Sequence, residues 1–189
     1  MIYEICKAIC YFVIRFFAKI EVSGRETFPK KGPFILASNH ISNFDPEVVG
    51  MLCPRQLYYL AKEELFKSKA LSAVLRKIKV VPLKRGTGDV HALRLGLKVL
   101  EKEPLLIFPQ GTRSANYDSI KEGVGFLYKK SGAPIIAAKV YGTDKILPKG
   151  AKFPKFGKIK VIYAKVEGLS ETDSREEISA KVVETIKNL

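Results

Sequence analysis

Short apolar runs alternate along the chain with segments in which apolar residues recur every three or four positions. The runs predict strands at 33–38, 56–61, 79–83, 105–108, 134–141 and 158–163. The helical spacing predicts helices at 62–78, 89–103 and 120–130, and a capping box at Ser174 and Glu177 predicts the start of a C-terminal helix. Because strands and helices alternate, we predict an α/β fold, a single-domain mixed sheet flanked by helices, in which loops after the strands hold the ligand.

The first 20 residues have a pattern of their own. The longest stretch without a charge is 8–14, whereas about 20 largely uncharged residues are needed to span a bilayer. On a helical wheel the charges Glu4, Lys7, Arg15 and Lys19 fall within an arc of roughly 120°. The opposite face carries Ile5, Ile9, Phe12, Val13, Phe16, Phe17 and Ile20.

This pattern predicts an amphipathic helix over residues 1–20 that lies on a membrane surface with its apolar face in lipid. A terminal helix packed on the protein's own core is the alternative interpretation. Since no internal repeat or linker follows, residues 21–189 are predicted to form one domain.

The charge balance favours anionic partners. The chain has 33 Lys and Arg against 19 Asp and Glu, a formal net charge of +14, which suits nucleic acid, anionic lipid headgroups or phosphorylated substrates. Nucleic acid has little further support, because no RNP-like motif, zinc finger or basic coiled-coil region is present. The three cysteines form no CxxC pair, so a zinc site is not expected and a reducing, cytoplasm-facing location is the simpler interpretation.

A histidine and a carboxylate stand five residues apart directly after the first predicted strand. Histidine is the side chain whose ordinary pKa suits proton abstraction near neutral pH. Asp45 could fold back onto His40, fix the imidazole tautomer and stabilise the imidazolium. His40 would then deprotonate a substrate hydroxyl, which attacks a thioester directly. The alternative is an ordinary loop histidine, with Asp45 serving only as the N-cap of a helix that has Pro46 at its first position.

The strand at 105–108 runs into a polar turn that ends at Ser114. Gly111 permits close backbone approach, and Thr112 offers a hydroxyl, as does Ser114. Arg113 offers a planar fork that matches phosphate oxygens. This turn predicts an anion-binding site, and an ordinary polar turn with an exposed arginine is the alternative.

Taken together, these two motifs resemble the glycerolipid acyltransferase family, and most closely its 1-acylglycerol-3-phosphate acyltransferases. The family's His-x4-Asp motif matches His40 and Asp45, preceded by Asn39, and its Glu-Gly-Thr-Arg-Ser motif matches 110–114 with one departure. Further family blocks follow the same order along the chain, at 61–65, 80–85, 121–123 and 133–136. The resemblance covers about residues 20–165.

The resemblance implies transfer of a fatty acyl group from acyl-CoA or acyl carrier protein to the 2-hydroxyl of 1-acylglycerol 3-phosphate, giving phosphatidic acid in phospholipid biosynthesis. His40 would be the base and Asp45 its partner. The acceptor's phosphate would be bound by Lys62, Arg85, Gln110, Gly111, Thr112, Arg113 and Lys121. No metal or redox cofactor is implied, since the acyl thioester is a co-substrate. Lys62, Arg85 and Lys121 could equally be solvated surface charges.

The departure is Gln110, which stands where the family usually has glutamate. An amide keeps the size and an acceptor oxygen but loses the charge. If the family's glutamate only orients the backbone or the arginine, glutamine can replace it, and this is the interpretation we favour. If the residue must be ionised, the enzyme would be slow or use another acceptor.

Three other functions remain open at this point. One is an acyltransferase for glycerol 3-phosphate or another lysolipid, the second an inactive lipid-binding relative, and the third a nucleic-acid-binding protein. Two further residues are assigned no role: His91 is predicted to be a surface residue, and Cys53 a small buried apolar one.

Overall fold

A single mixed sheet is the centre of the molecule. The computed structural model describes residues 2–83, 88–111, 122–148, 150–151 and 153–189. Within them the strands are β1 Ala18–Ser23, β2 Ile35–Ser38, β3 Tyr58–Lys62, β4 Val80–Leu83, β5 Leu105–Ile107, β6 Ile135–Tyr141 and β7 Gly157–Lys165. Their order is β1-β7-β6-β2-β5-β3-β4. The pair β6–β7 is antiparallel and the other pairs are parallel, so the predicted mixed α/β sheet is confirmed.

Helices cover both faces of this sheet. The α-helices are α1 Ile2–Phe17, α2 Asp45–Leu52, α3 Lys69–Lys77, α4 Gly88–Leu100, α5 Gly123–Ser131, α6 Thr143–Ile146 and α7 Arg175–Asn188. Two short 3₁₀ helices lie at Arg25–Thr27 and Glu63–Phe66. Within the ranges given above, no helix has both the length and the apolar character needed to cross a membrane.

Two hydrophobic cores result, one on each face. Leu36 of β2 packs into the core beneath α1 and α2, whereas its neighbours Ile35 and Ala37 pack into the core beneath α4, α5 and α7. All three are fully buried. Successive side chains of a strand point to opposite faces, so a central strand covered on both faces has the continuous apolar sequence from which β2 was predicted.

The N-terminal segment differs from its prediction at its end. The helix stops at Phe17, and Ala18 begins β1, three residues before the predicted end at residue 20. Lys19 and Glu21 alternate with Ile20 and Val22, which pack against a core. This two-residue period is that of a strand, and it was overlooked because the same apolar residues also fit the preceding helical pattern.

The predicted helix at 62–78 is also divided. Its first part is the 3₁₀ helix Glu63–Phe66, and α3 starts only at Lys69. Ser68 caps α3, since its side chain accepts a hydrogen bond from the Leu71 N–H. Ser68 lies within the segment whose apolar spacing predicted one continuous helix. It instead begins a new helix, because its hydroxyl accepts a hydrogen bond from a backbone N–H of the first turn.

The strand directions create one functional edge of the sheet. The parallel strands β2 to β6 all end at this edge, which we call the carboxyl edge. Because β7 is antiparallel to β6 and parallel to β1, β7 and β1 begin there. The end of α1, which leads directly into β1, therefore lies at the carboxyl edge as well.

Candidate active site

Three loops meet at the centre of the carboxyl edge. They follow β2, β5 and β6, which are neighbours in the sheet in the order β6-β2-β5. The loop after β2 carries His40 and Asp45, the loop after β5 carries Gln110, and the turn after β6 leads to Thr143. Sheet order therefore gathers polar residues from three distant parts of the sequence.

The His40–Asp45 pair has the geometry of an oriented base. His40 Nδ1 lies 2.9 Å from Asp45 Oδ2, and the Asp45 side chain is fully buried. A carboxylate accepts the Nδ1–H, so the neutral imidazole has its lone pair on Nε2. The His40 side chain retains 18% of its exposed area, which allows a substrate to approach the ring.

Asp45 is held by further hydrogen bonds. Its Oδ2 accepts the backbone N–H groups of Ile41 at 2.6 Å and Ser42 at 2.7 Å, and its Oδ1 accepts the Thr143 hydroxyl at 2.5 Å. Such donors stabilise a buried carboxylate. The alternative role of Asp45, as the N-cap of a helix, is wrong: the N-cap of α2 is Phe44, because the carboxylate turns towards His40 instead.

Gln110 joins the two sequence motifs. Its Oε1 accepts the backbone N–H of His40 at 2.8 Å, and the residue is only 4% exposed. A glutamate would accept this hydrogen bond equally well. The contact therefore supports the interpretation in which an uncharged acceptor can replace the family's glutamate.

The turn after β5 also supports the imidazole ring. Phe108 stacks on His40, with ring centroids 4.3 Å apart and planes at 25°. Gly111 has φ +67° and donates its N–H to the Phe108 carbonyl at 2.9 Å. A tight turn of this kind favours glycine, because other residues rarely adopt positive φ.

The turn after β6 delivers Thr143 to Asp45. Gly142 has φ +81°, and a Cβ at this position would lie 2.1 Å from the Lys158 carbonyl oxygen. Only glycine allows the chain to pass so close to β7 while turning into α6. Asn39 ties the same region to β2: its amide donates to the Val140 carbonyl at 2.9 Å and accepts the Val140 N–H at 2.7 Å.

Glu47, in the first turn of α2, is electrostatically coupled to the pair. Loss of hydration raises the pKa of its carboxyl, and the Asp45 charge raises it further, whereas His40 lowers it. Glu47 is an exposed residue of this turn, so solvent screens these interactions. Besides Asp45, a second acidic group therefore belongs to the electrostatic environment of His40.

The predicted phosphate-binding residues are only partly placed. Lys62 is exposed at the end of β3, two strands from β2 and hence about 10 Å away across the sheet. Arg85, Thr112, Arg113 and Lys121 lie outside the described residues. His91 is exposed and Cys53 is fully buried, as predicted.

Sequence reasoning missed Thr143. It lies 98 residues from Asp45, and no local pattern distinguishes it from other threonines. The only available signal was its position just after a predicted strand, next to Gly142. The hydrogen-bonding role of Asn39 was missed as well, although its position before His40 belonged to the recognised motif.

Comparison with known proteins identifies the family of this chain. A model of the family described as "Acyltransferase" matches residues 19–143. The 1-acyl-sn-glycerol-3-phosphate acyltransferase of Bacillus subtilis (strain 168) is 27% identical over 185 residues, which cover 94% of this chain and 90% of that protein. The protein of the same name from Borreliella burgdorferi is 30% identical over 71% of this chain and 56% of its own length.

A solved structure shows the same fold. The 1-acyl-sn-glycerophosphate (LPA) acyltransferase PlsC from Thermotoga maritima superimposes with a TM-score of 0.84 at 26% sequence identity, over 98% of this chain and 77% of that one. The family model spans more than half of the present chain, and it includes the histidine, the aspartate and the glutamine of the carboxyl edge. The protein belongs to the acyltransferase family.

Proposed function

We propose that the protein transfers a fatty acyl group from an acyl thioester, acyl-CoA or acyl carrier protein, to the 2-hydroxyl of 1-acylglycerol 3-phosphate, forming phosphatidic acid. The observation that carries this proposal is the His40–Asp45 pair, 2.9 Å apart at the carboxyl edge. The substrate assignment is supported by the relatives, which are named for this acceptor.

The chemistry follows from the orientation of the imidazole. Nδ1 is bound to the Asp45 carboxylate, so Nε2 takes the proton of the acceptor's hydroxyl as this oxygen attacks the thioester carbon. The buried carboxylate stabilises the imidazolium that forms. Collapse of the tetrahedral intermediate expels the thiolate, which receives the proton from Nε2, and the base is restored.

The acceptor's phosphate is proposed to lie beside this pair. The turn at Gln110 and Gly111 adjoins His40, and Thr112 and Arg113 follow it directly in sequence. Lys62, Arg85 and Lys121 are proposed to add positive charge, in keeping with a net charge of +14.

The protein is proposed to act on the cytoplasmic surface of a membrane, where acceptor and product reside. One side of α1 contacts the rest of the protein through buried Ile14. Its other side exposes an apolar stripe, which consists of Ile5, Ile9, Phe12, Val13 and Phe16. The packing of Ile14 agrees with the interpretation of a terminal helix on the protein's own core. A helix with such an exposed apolar stripe also suits the membrane interface, which supports the proposed membrane contact of its other side.

The decisive test compares His40→Ala with wild type and with His91→Ala. We would measure thioester cleavage with 1-acylglycerol 3-phosphate, with glycerol 3-phosphate and without acceptor. We expect acceptor-dependent turnover in wild type and His91→Ala, and a loss of at least about 10³-fold in His40→Ala, since base and nucleophile activation are removed together.

Each other outcome has a distinct meaning. Full turnover in His40→Ala would remove the histidine from the mechanism. Turnover only with glycerol 3-phosphate or another lysolipid would change the acceptor but keep the chemistry. If the wild type shows no turnover with either acyl-CoA or acyl carrier protein as the acyl donor, the protein would be an inactive lipid-binding relative.

A further inference from the structure

The loop between α6 and β7 exposes two large aromatic side chains. Phe153 is 80% exposed and Phe156 is 74% exposed. The loop closes on itself at its base, because the Lys155 N–H donates to the Ile146 carbonyl at 2.8 Å. The exposure of aromatic rings to water is unfavourable in free energy. Their transfer into an apolar phase would lower the free energy of the system.

This loop is continuous with the apolar stripe of α1. The Phe156 ring lies 5.8 Å from the ring of Phe16 and 5.5 Å from that of Phe17. The register of the edge strands, with Ala18 opposite Gly157, brings the end of α1 beside the end of the loop. We name Phe12, Phe16 and Phe156, together with the exposed Phe153 three residues before Phe156, the aromatic patch.

Exposed basic residues lie close in sequence to the aromatic patch. Exposed lysines flank the loop at Lys145, Lys155 and Lys158, and Arg15 is exposed on α1. An apolar centre with a cationic border matches a bilayer that carries anionic headgroups. A second copy of the chain would instead bring two surfaces of the same positive charge together, which is unfavourable.

We propose that Phe153 and Phe156, between α6 and β7, form a second membrane-docking element, which together with α1 seats the aromatic patch in an anionic bilayer. This inference rests on the proposed function, because it concerns how the same site reaches its lipid acceptor. It differs from anchoring by α1 alone, since two separate elements fix the orientation of the domain as well as its attachment.

The resulting orientation places the active site at the lipid surface. Leu147, the first residue of the loop, accepts a hydrogen bond from the Ser42 hydroxyl at 3.2 Å. Ser42 in turn donates its N–H to Asp45. The loop is thus hydrogen-bonded to the turn that carries His40, and the proposed docking would bring this turn close to the lipid surface.

Vesicle binding tests the proposal. Phe153→Ser with Phe156→Ser should lower partition into phosphatidylcholine–phosphatidylglycerol vesicles about tenfold, because two inserted rings are lost. Lys155→Glu with Lys158→Glu should weaken binding to these vesicles but not to pure phosphatidylcholine. The control Lys130→Glu makes the same kind of charge change on α5, at the opposite edge of the sheet, and should have a smaller effect. Unchanged binding in both double variants would overturn the proposal.

A fluorescence measurement does not depend on weakened variants. The chain contains no tryptophan, so Phe153→Trp introduces one fluorophore into the loop. On addition of vesicles we expect a blue shift and quenching by brominated lipid. Tyr128→Trp on α5 is the control and should not be quenched. Quenching absent at position 153 while the protein is bound would show that α1 alone contacts the bilayer.

Activity separates this proposal from the enzymatic one. With a short-chain acceptor dispersed below its aggregation concentration, the Phe153→Ser, Phe156→Ser variant should turn over within about twofold of wild type. With acceptor embedded in vesicles its rate should fall together with binding. Equal rates on vesicles would contradict the docking role, whereas a wild type inactive on both acceptors would contradict only the proposed function.

Discussion

Asp45 shows how individual residues determine the site. Its carboxylate accepts hydrogen bonds from His40, from the backbone of Ile41 and Ser42, and from Thr143. Because the carboxylate is fully buried, each donor offsets part of the cost of removing its charge from water. The same bonds fix the direction from which Asp45 meets the imidazole.

Thr143→Val tests this positioning role. Valine keeps the shape but leaves Oδ1 without its hydroxyl donor, at a cost of about 1–3 kcal/mol. We expect kcat to fall about tenfold with a smaller change in KM, as measured by steady-state kinetics. Thr143→Ser restores the hydroxyl and should recover most of the rate. A serine variant as slow as the valine variant would mean that the methyl group matters and not the hydrogen bond.

Gln110 provides a second test at this scale. Gln110→Leu removes the acceptor for the His40 N–H, and a buried unpaired N–H should lower kcat/KM about tenfold. Gln110→Glu keeps an acceptor oxygen and should stay within about threefold of wild type. Equal losses in both variants would show that the amide's own N–H donors are required.

Among the elements, α7 shows the most complete agreement with prediction. Ser174 and Glu177 form the predicted capping box: the Glu177 N–H donates to the Ser174 hydroxyl at 3.1 Å, and the Ser174 N–H donates to the Glu177 carboxylate at 2.6 Å. Ile178, Val182 and Ile186 are buried on the face that this start defines. Capping and burial therefore specify the same helix.

Ser174→Ala should destabilise the protein by about 1 kcal/mol, because an N-terminal N–H of α7 loses its acceptor. For a chain of this size we expect the melting temperature to fall by about 2–4 °C, as measured by calorimetry. Glu177→Gln retains an acceptor oxygen and should lose less. A larger loss in Glu177→Gln would indicate that its charge near the helix N-terminus dominates the cap.

Two glycines at element boundaries form a matched pair. Both have positive φ, +81° at Gly142 and +65° at Gly132, but a Cβ at Gly142 would meet the Lys158 carbonyl whereas one at Gly132 would meet nothing within 4 Å. Gly132→Ala should cost about 1–2 kcal/mol from backbone conformation alone.

Gly142→Ala should cost more than Gly132→Ala and also reduce activity, since its backbone must move and carry Thr143 with it. Denaturant unfolding measures the first effect, and thioester cleavage by the folded protein the second. Equal stability losses, with full activity in Gly142→Ala, would show that β7 yields without disturbing the site.

At the scale of the whole molecule, strand order and surface charge act together. Parallel strands bring three loops to the carboxyl edge, and the start of β7 brings the aromatic patch to the same edge. The net charge of +14 favours approach to an anionic surface from a distance. The arrangement would let one docking event serve both attachment and substrate entry.

Removal of residues 1–20 is a poor test of membrane attachment. It would also remove Ile14 and Ala18 from the core and the hydrogen bond from Lys7 to the Cys53 carbonyl. Ile9→Ser with Phe12→Ser alters only exposed positions, so we expect release from anionic vesicles with little change in melting temperature. Cosedimentation and calorimetry measure these effects. Retained binding would contradict a role for the α1 stripe.

The sequence by itself determined the local features. The positions of most strands and helices, the capping box and the facing of His40 and Asp45 across a turn all follow from residues a few positions apart. Such patterns reflect which backbone groups and side chains can meet within one element or turn. The likeness to a family joined this pair to the polar turn at 110–114, whose Arg113 lies outside the described residues.

Only the tertiary structure decided which distant residues meet. Strand order brings Thr143 to Asp45 across 98 positions, Gln110 to His40 across 70, and Phe156 to Phe16 at the carboxyl edge. The tertiary structure also makes Ala18–Ser23 a strand at the edge of the sheet, because its backbone groups form hydrogen bonds with β7. Local periodicity carries no information about which strands become neighbours, since that choice depends on how the whole chain buries its two apolar cores.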